Sequence, residues 1–312
     1  MSGAAVVIPN WNGESLLPTC LKALRETRVE RLSTIVVDNG STDGSAALVK
    51  RDFPWVRWLP LGSNLGFAKA CNAGIKNALA EDDPEYVVLF NNDVEAREPD
   101  WLKWMIKAAQ ADPAAGVVGC RLIYPDGRDQ ELGKRLTPTS IEGLLETPGW
   151  KTIAEPYAVD AAVGAVFLMT RRLIETVGLL DEGFFLGMED IDYCLRARRA
   201  GFRVKIAPSA RVVHLRSQSI NRESPGFWFR LDRETELRFR LLNNPLWTAP
   251  FVAVSEARVL AAHVFPRTGR GRTLSPDWRK FVSGTWAGYG AALRCFGDLL
   301  RKRWDRAGRQ WY

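Results

Sequence analysis

Thr34-Ile35-Val36-Val37-Asp38-Asn39-Gly40-Ser41-Thr42-Asp43-Gly44 reads as a buried strand that ends on a carboxylate and turns into a helix start before Ala46–Lys50. The first four residues are a short apolar run, and Ser41 to Gly44 supplies the polar residues that open helices. The same arrangement precedes it. Ala4–Ile8 is apolar and stops at Pro9, after which Leu16, Leu17, Leu21 and Leu24 recur at helical spacing. Downstream, Val56–Leu59 is a third short strand, and Phe67, Cys71, Ile75 and Leu79 recur every four residues. Tyr86–Phe90 then leads to a helix over Asp100–Ala111, and Val117–Cys120 is a further strand. Strand alternating with helix implies parallel pairing and an α/β sandwich. Ligands on such sheets sit at the carboxyl ends of the strands. The polar strand ends Asn10-Trp11-Asn12-Gly13, Asp38-Asn39-Gly40 and Asn91-Asn92-Asp93 therefore carry the functional expectation.

Beyond this repeat the pattern loosens. Residues 123–155, rich in Gly, Pro and Thr, read as a long surface excursion. Val163–Met169 is apolar again and precedes a helix over Arg171–Val177. Glu189-Asp190-Ile191-Asp192 opens a helix through Ala200 that Gly201 ends, and Arg203–Ile206 and Val212–His214 read as two short strands. From Phe227 the pattern is helical, aromatic and basic, with a break at 267–276 and a helical tail over Asp277–Arg309.

Charge divides the chain more sharply than its total suggests. The 43 Lys and Arg exceed the 36 Asp and Glu by only seven. Residues 1–195 hold 19 basic and 28 acidic residues, and residues 196–312 hold 24 basic and 8 acidic, so an acidic front joins a basic rear. That rear suggests an anionic partner, either nucleic acid or a membrane surface. Five cysteines, without a CxxC spacing, argue against a disulfide scaffold and fit a reducing compartment. With no basic n-region before Ala4 and no apolar run of about 18 residues, the expectation is a cytoplasmic chain that does not span a membrane.

Four constellations could carry chemistry, and each has a plainer reading. Asp38 can accept hydrogen bonds from a base or ribose, yet Asp-Asn-Gly-Ser also suits a turn. Asn91-Asn92-Asp93 offers one carboxylate of the kind that holds Mg²⁺ or Mn²⁺ together with substrate phosphates, though Asn-Asp also populates turns. Glu189, Asp190 and Asp192 gain from a helix N-terminus. Alternatively, neighbouring carboxylates raise one pKa and make a general base. His214 ends an apolar strand, either as a metal ligand or as a half-buried histidine with one hydrogen bond. His263, the other of two histidines, receives no role.

Together these stretches resemble the inverting glycosyltransferases of family 2, with the nucleotide-sugar-binding GT-A fold. The resemblance runs through Val6–Gly13, Ile35–Gly44, Asn64-Leu65-Gly66-Phe67 with Asn72 and Gly74, and Leu89–Asp93. It continues through Gly164-Ala165, Arg171-Arg172, Phe184-Phe185 and Glu189–Arg196. Within that family it is similar to the rhamnosyltransferase-like branch that builds bacterial surface polysaccharides.

The resemblance implies a mixed, mostly parallel sheet between helices over 1–220, with a basic, Trp-rich helical extension over 221–312. It implies a donor site at Pro9, Asn10, Trp11, Asp38, Asn64, Gly66, Asn92 and Asp93, with Trp11 stacking on the base. Asp190 matches the catalytic base, and Glu189, Gly164 and Ala165 the acceptor side. The family's metal motif is usually Asp-X-Asp. Here Asn91 replaces the first acid, leaving Asp93 with His214 as the implied ligands of Mg²⁺ or Mn²⁺.

The expected reaction moves a sugar, rhamnose from dTDP-rhamnose, onto a saccharide or polyprenyl-linked saccharide. A UDP-sugar-dependent transferase and a non-catalytic sugar-nucleotide binder are the alternatives. A nucleotidyltransferase would show a basic Gly-rich loop after the first strand, and Trp11-Asn12-Gly13 lacks it. Nucleic acid is not an expected partner, since no finger, RNP or helix-turn-helix signature accompanies the charge. The basic tail, with Leu293, Phe296, Leu299 and Leu300 beside Arg301-Lys302-Arg303, Trp304, Arg309 and Trp311, reads either as an anchor on the inner face of an anionic membrane or as a helical appendage that packs its aromatics on the catalytic domain or forms a homodimer.

Overall fold

The computed structural model describes residues 3–137, 140–144, 149, 152–215, 225–268, 271–272 and 275–307. The chain divides into two compact units. The first comprises 1–136, 141–185 and 189–219, and the second 137–140, 186–188 and 220–312.

The first unit begins β1 (Ala4–Asn10), α1 (Leu17–Arg25), β2 (Leu32–Asp38), α2 (Ser45–Asp52), β3 (Arg57–Pro60), α3 (Phe67–Glu81) and β4 (Tyr86–Phe90). It continues β5 (Val94–Glu95), α4 (Trp101–Gln110), β6 (Ala115–Ile123), β7 (Asp129–Glu131), β8 (Lys134–Leu136), β9 (Ile141–Gly143) and β10 (Tyr157–Val159). It closes with β11 (Val166–Thr170), α5 (Arg171–Val177), α6 (Glu189–Arg199) and β12 (Arg203–His214). A ten-stranded sheet runs β10-β12-β6-β11-β4-β1-β2-β3, with β5 added on β12 and β7 on β6. β1 pairs in parallel with both β2 and β4, and β6 with β12, while β11 runs antiparallel between β4 and β6. The sheet is mixed, as the family resemblance implies.

β1 and β4 are buried along almost their whole length, which is why both read as continuous apolar runs. α1 buries Leu17, Cys20, Leu21 and Leu24, one helical face. Each buried leucine contributes about 1.5–3 kcal/mol. Pro18 sits in the first turn, where a missing N–H costs nothing.

Two sequence expectations are corrected here. Residues 123–155 are not a surface excursion alone. They contain β7, β8 and β9 and bury Gln130, Leu132 and Leu144. Strands of three residues are too short to display a period. Arg203–Ile206 and Val212–His214 are halves of one strand, β12, whose pairing with β6 shifts register between Ala207 and Arg211. Pro208 lies in that irregular step, where a proline is tolerated.

The second unit holds α7 (Pro225–Asn243), α8 (Ala249–Val264), the short pair β13 (Arg267–Thr268) and β14 (Gly271–Arg272), α9 (Trp278–Arg294) and α10 (Phe296–Ala307). The helical tail consists of two helices on either side of Cys295, and Arg309 and Trp311 lie outside the described residues. Arg233 on α7 is buried and gives its Nη1 to both carboxylate oxygens of Glu256 on α8, at 3.0 and 2.9 Å. Tyr289 on α9 donates its hydroxyl to the same carboxylate. Among the described residues no helix is long and apolar enough to cross a membrane.

Candidate active site

The strand ends are tied to one another by side chains. The Asn10↔Asp38 register brings the ends of β1 and β2 level, and the Asn39 N–H donates to Asn10 O at 2.8 Å. Asn10 Oδ1 accepts from Asn92 Nδ2 at 2.8 Å, which joins β1 to the turn after β4. Ser41 Oγ accepts from Asn12 N at 2.9 Å and from Asn10 Nδ2 at 3.3 Å. Asn10 and Asn92 are buried, so their amides shape the site from within. Asp38 Oδ1 accepts from Ser41 N at 3.0 Å, so the turn reading of this residue holds while its half-buried carboxylate keeps further acceptor capacity. Pro9 and Trp11 are half-buried on either side of Asn10.

Asn64 and Gly66 join this rim through Asn39. Asn39 accepts from Leu65 N at 2.8 Å and donates to Asn64 Oδ1 at 3.0 Å and Gly66 O at 3.3 Å. Gly66 has φ +91°, and an added Cβ would lie 2.7 Å from Phe185 O. No other residue suits that conformation beside that carbonyl. The close approach lets Phe67 N donate to Phe185 O at 2.6 Å.

Asp93 and His214 are brought together by pairing. β5 meets β12 with His214 opposite Val94, and Leu215 N donates to Asp93 O at 3.0 Å. His214 Nε2 then lies 3.4 Å from Asp93 Oδ1, and both side chains are buried. A carboxylate and an imidazole at this distance suit Mn²⁺ or Mg²⁺ that shares its remaining positions with phosphate oxygens and water. Among the described residues Oδ1 of Asn91 is also buried with no hydrogen-bond partner, a further oxygen consistent with a cation site. Among the same residues no set of three His, Cys, Asp or Glu side chains could hold an ion. The protein donor set at this position is therefore small.

The register Phe90↔Val166 places Gly164-Ala165 beside the same turn, and Asn91 N donates to Ala165 O at 2.9 Å. Gly164 N in turn donates to Asp190 Oδ2 at 2.8 Å, and Ile191 N to Asp190 Oδ1 at 2.8 Å. Burial pushes the Asp190 carboxyl above the usual carboxylate range, while these N–H groups and the charge of Lys134 pull the other way. Desolvation is the largest cause of that upward push.

The acidic cluster is sorted by its partners. Asp192 is fully buried and bonded to Arg196 at 2.9 Å, a structural pair. Glu189 is buried at the start of α6, and Asp190 stays half-buried with its two backbone donors. Hydrogen bonds and strand pairing thus run in steps from Asp190 through Gly164-Ala165 and Asn91–Asp93 to His214.

The sequence marks Asn39 only as part of a polar strand end and assigns no site role to Ser41 or Gln130. Gln130 Oε1 lies 2.5 Å from His214 Nδ1, and Gln130 Nε2 donates to His214 O at 3.1 Å.

Comparison with known proteins places these residues in context. A family model described as Glycosyl transferase family 2 matches residues 5–172. An N-acetylglucosaminyl-diphospho-decaprenol L-rhamnosyltransferase of Mycobacterium tuberculosis is 29% identical over 265 residues, covering 78% of this chain and 86% of that protein. The dTDP-rhamnosyl transferase RfbF of Shigella flexneri is 26% identical, covering 68% of this chain and 69% of its own length. Among solved structures, the mannosyltransferase PcManGT of Pyrobaculum calidifontis, in complex with GDP-Man and Mn²⁺, is 20% identical with a TM-score of 0.55, covering 95% of this chain and 87% of that one. GalNAc-T7 with UDP, GalNAc and Mn²⁺ is 15% identical with a TM-score of 0.63, covering 96% and 58%. These two likenesses are likenesses of fold.

Proposed function

The chain belongs to glycosyl transferase family 2, and from that premise we propose an inverting, metal-dependent transferase that moves rhamnose from dTDP-rhamnose to a hydroxyl of a saccharide or lipid-linked saccharide. The observation that carries this reading is the linkage of Asp190, through Gly164-Ala165, to the Asn91–Asp93 turn. It sets a desolvated carboxylate and a small donor set for a cation at one end of the inner strands β4 and β11. The rhamnosyl donor rests on the relatives in M. tuberculosis and S. flexneri.

The donor nucleotide lies against Pro9, Trp11 and Asp38, on a rim that Asn10, Asn64, Gly66 and Asn92 shape. Trp11 offers a ring face to the base, and Asp38 an acceptor to base or ribose. Asp93 and His214 would hold a divalent cation, which when bound stabilises negative charge on the departing diphosphate. Asp190 takes the proton of the acceptor hydroxyl as its oxygen attacks the anomeric carbon, with Glu189, Gly164 and Ala165 on the acceptor side. Desolvation suits Asp190 to this task, because a raised pKa makes a carboxylate a stronger base. One displacement inverts the anomeric carbon, and no second carboxylate nucleophile is needed.

The second unit supports the lipid-linked acceptor and a place on the inner membrane face. Phe296, Leu300 and Trp304 recur every four residues on α10 and all are exposed, Trp304 by 81%. Trp286 on α9 is 71% exposed. Such a stripe beside Arg301 and Lys302 matches an interfacial helix. The unit also holds an apolar cavity of about 470 Å³, lined by Leu237, Val252, Leu260, Trp286 and Leu293 among others, which suits a hydrocarbon chain.

The test is a thermal-shift panel of dTDP- and UDP-sugars with Mg²⁺ or Mn²⁺, followed by product analysis. Stabilisation grows with the logarithm of ligand concentration over Kd. The expected result is a shift with dTDP-rhamnose, stronger with Mn²⁺ present. A shift confined to UDP-sugars would replace the rhamnosyl reading, and no shift with any nucleotide sugar would overturn the donor site.

A further inference from the structure

Gln130 is a buried polar side chain that the transfer reaction leaves without a role. It lies on β7, whose pairing with β6 is irregular: Leu122 pairs with Glu131 and Ile123 with Asp129. Two residues on β6 thus face three on β7, and Gln130 is the extra one, the bulged residue. A bulge re-aims a side chain that strand alternation would otherwise direct. The bulge is pinned by Arg121, whose guanidinium meets Asp129 at 2.6 and 2.8 Å in a pair that is itself mostly buried.

The re-aimed amide engages one residue twice. A backbone carbonyl only accepts, so the Gln130 atom 3.1 Å from His214 O is the donor Nε2. The other amide atom, 2.5 Å from His214 Nδ1, is then Oε1, which only accepts. This hydrogen-bond network assigns both the amide orientation and the ring tautomer. Nδ1 carries the proton, and in the neutral ring Nε2, 3.4 Å from Asp93 Oδ1, presents a lone pair beside the carboxylate.

We infer that Gln130 is a positioning residue that selects the Nδ1–H tautomer of His214 and fixes its ring, so that Nε2 and Asp93 face one divalent cation together. The tautomer part stands on geometry alone, and the cation part rests on the metal reading above. Partners of this kind fix the tautomer and orientation of a ligating histidine. A glutamine does so without adding charge. It also holds the backbone carbonyl of the same residue, which ties ring and strand end to one amide.

The test uses the full chain with ¹⁵N-labelled histidine. Only two histidines are present, so a His263→Gln variant assigns the signals, and long-range ¹H–¹⁵N correlation shows which ring nitrogen carries the proton. The expected wild-type result is Nδ1–H at His214. Gln130→Leu should lose that preference and weaken binding of Mn²⁺ alone, followed by electron paramagnetic resonance, by about 10–100-fold. Gln130→Glu keeps an acceptor at Nδ1, so it should retain the tautomer and recover most of the Mn²⁺ affinity. It also keeps the inference testable should the leucine variant fold poorly. A wild-type Nε2–H ring, or an Nδ1–H tautomer that persists in Gln130→Leu, overturns the inference. A wild-type chain with Nδ1–H that binds no Mn²⁺ overturns the metal reading instead and leaves the tautomer assignment standing.

Discussion

Gly164→Ala probes how closely transfer depends on the position of Asp190. An added Cβ at residue 164 would lie 3.2 Å from Asp190 Cβ and 3.3 Å from Oδ2. Carbon–carbon contact is most favourable at about 3.5–4.0 Å, so the aspartate must retreat by roughly 0.3–0.5 Å. A misplacement of about 1 Å costs about 100-fold in rate. Taken in proportion, the retreat costs roughly fourfold to tenfold in kcat, or about 0.8–1.4 kcal/mol at 1.36 kcal/mol per decade. The loss should fall on kcat and spare the donor KM, since Gly164 touches the base and not the nucleotide rim. The assay is steady-state release of nucleoside diphosphate with donor and acceptor both present, alongside a thermal melt of the variant. A variant that melts like wild type and turns over at the wild-type rate would refute the reasoning. Either Asp190 does not touch the reacting hydroxyl, or Gly164 does not set its place.

Other outcomes follow from the same geometry. The kcat–pH profile should fall on its acid side at a pH above the ordinary carboxylate range, because burial raises the Asp190 pKa and only the ionised form accepts a proton. For stability the sign is reversed relative to a salt-bridged acid. The folded state holds this proton more tightly, so the contribution of Asp190 declines as pH rises from the unfolded to the raised pKa, and Asp190→Asn should melt no lower than wild type at neutral pH. Asp93→Asn and His214→Ala should each weaken Mn²⁺ binding at least about tenfold by calorimetry, on the scale of metal-site lesions. Glu256→Ala removes one of the two carboxylates paired with the buried Arg233, leaving Asp232, and should destabilise in urea unfolding by less than the about 3–5 kcal/mol of a fully stranded buried charge. Replacing Phe296, Leu300 and Trp304 together by serine should reduce sedimentation with phosphatidylglycerol vesicles, and an unchanged bound fraction would point to the homodimer reading of that stripe.

The sequence makes β1, β2, β4, α1 and α3 legible because each is long enough to show its own period and buries a face. Val6-Val7-Ile8 and Val87-Val88-Leu89 have no polar partner in alternation, and the core explains why. The antiparallel direction of β11 is not legible, because direction leaves no trace in the pattern of Val166–Thr170. β7 escapes for a different reason: three residues and a bulge carry no period, so Gln130 gives no local signal of its contact with a histidine 84 residues away.

The candidate site divides the same way. Asp93, Asp190 and His214 stand out by type and position at strand or helix ends, whereas Asn39 works through amide bonds to a loop 25–27 residues on. The Glu189–Asp192 cluster is legible as a group, but its members are told apart only by their partners. Arg196 claims Asp192, and the Gly164 amide claims Asp190.

The central claim is that Asp190 takes the acceptor proton while other residues bind the donor. It is tested most directly by measuring donor affinity and turnover on Asp190→Asn in parallel, with Mn²⁺ present. Asparagine keeps the size of the side chain and an oxygen for the Gly164 amide, but it cannot accept the proton. The account predicts donor affinity within about twofold of wild type and turnover lower by roughly 10²–10⁴-fold, the usual contribution of a positioned general base. Near-wild-type turnover in Asp190→Asn would contradict it.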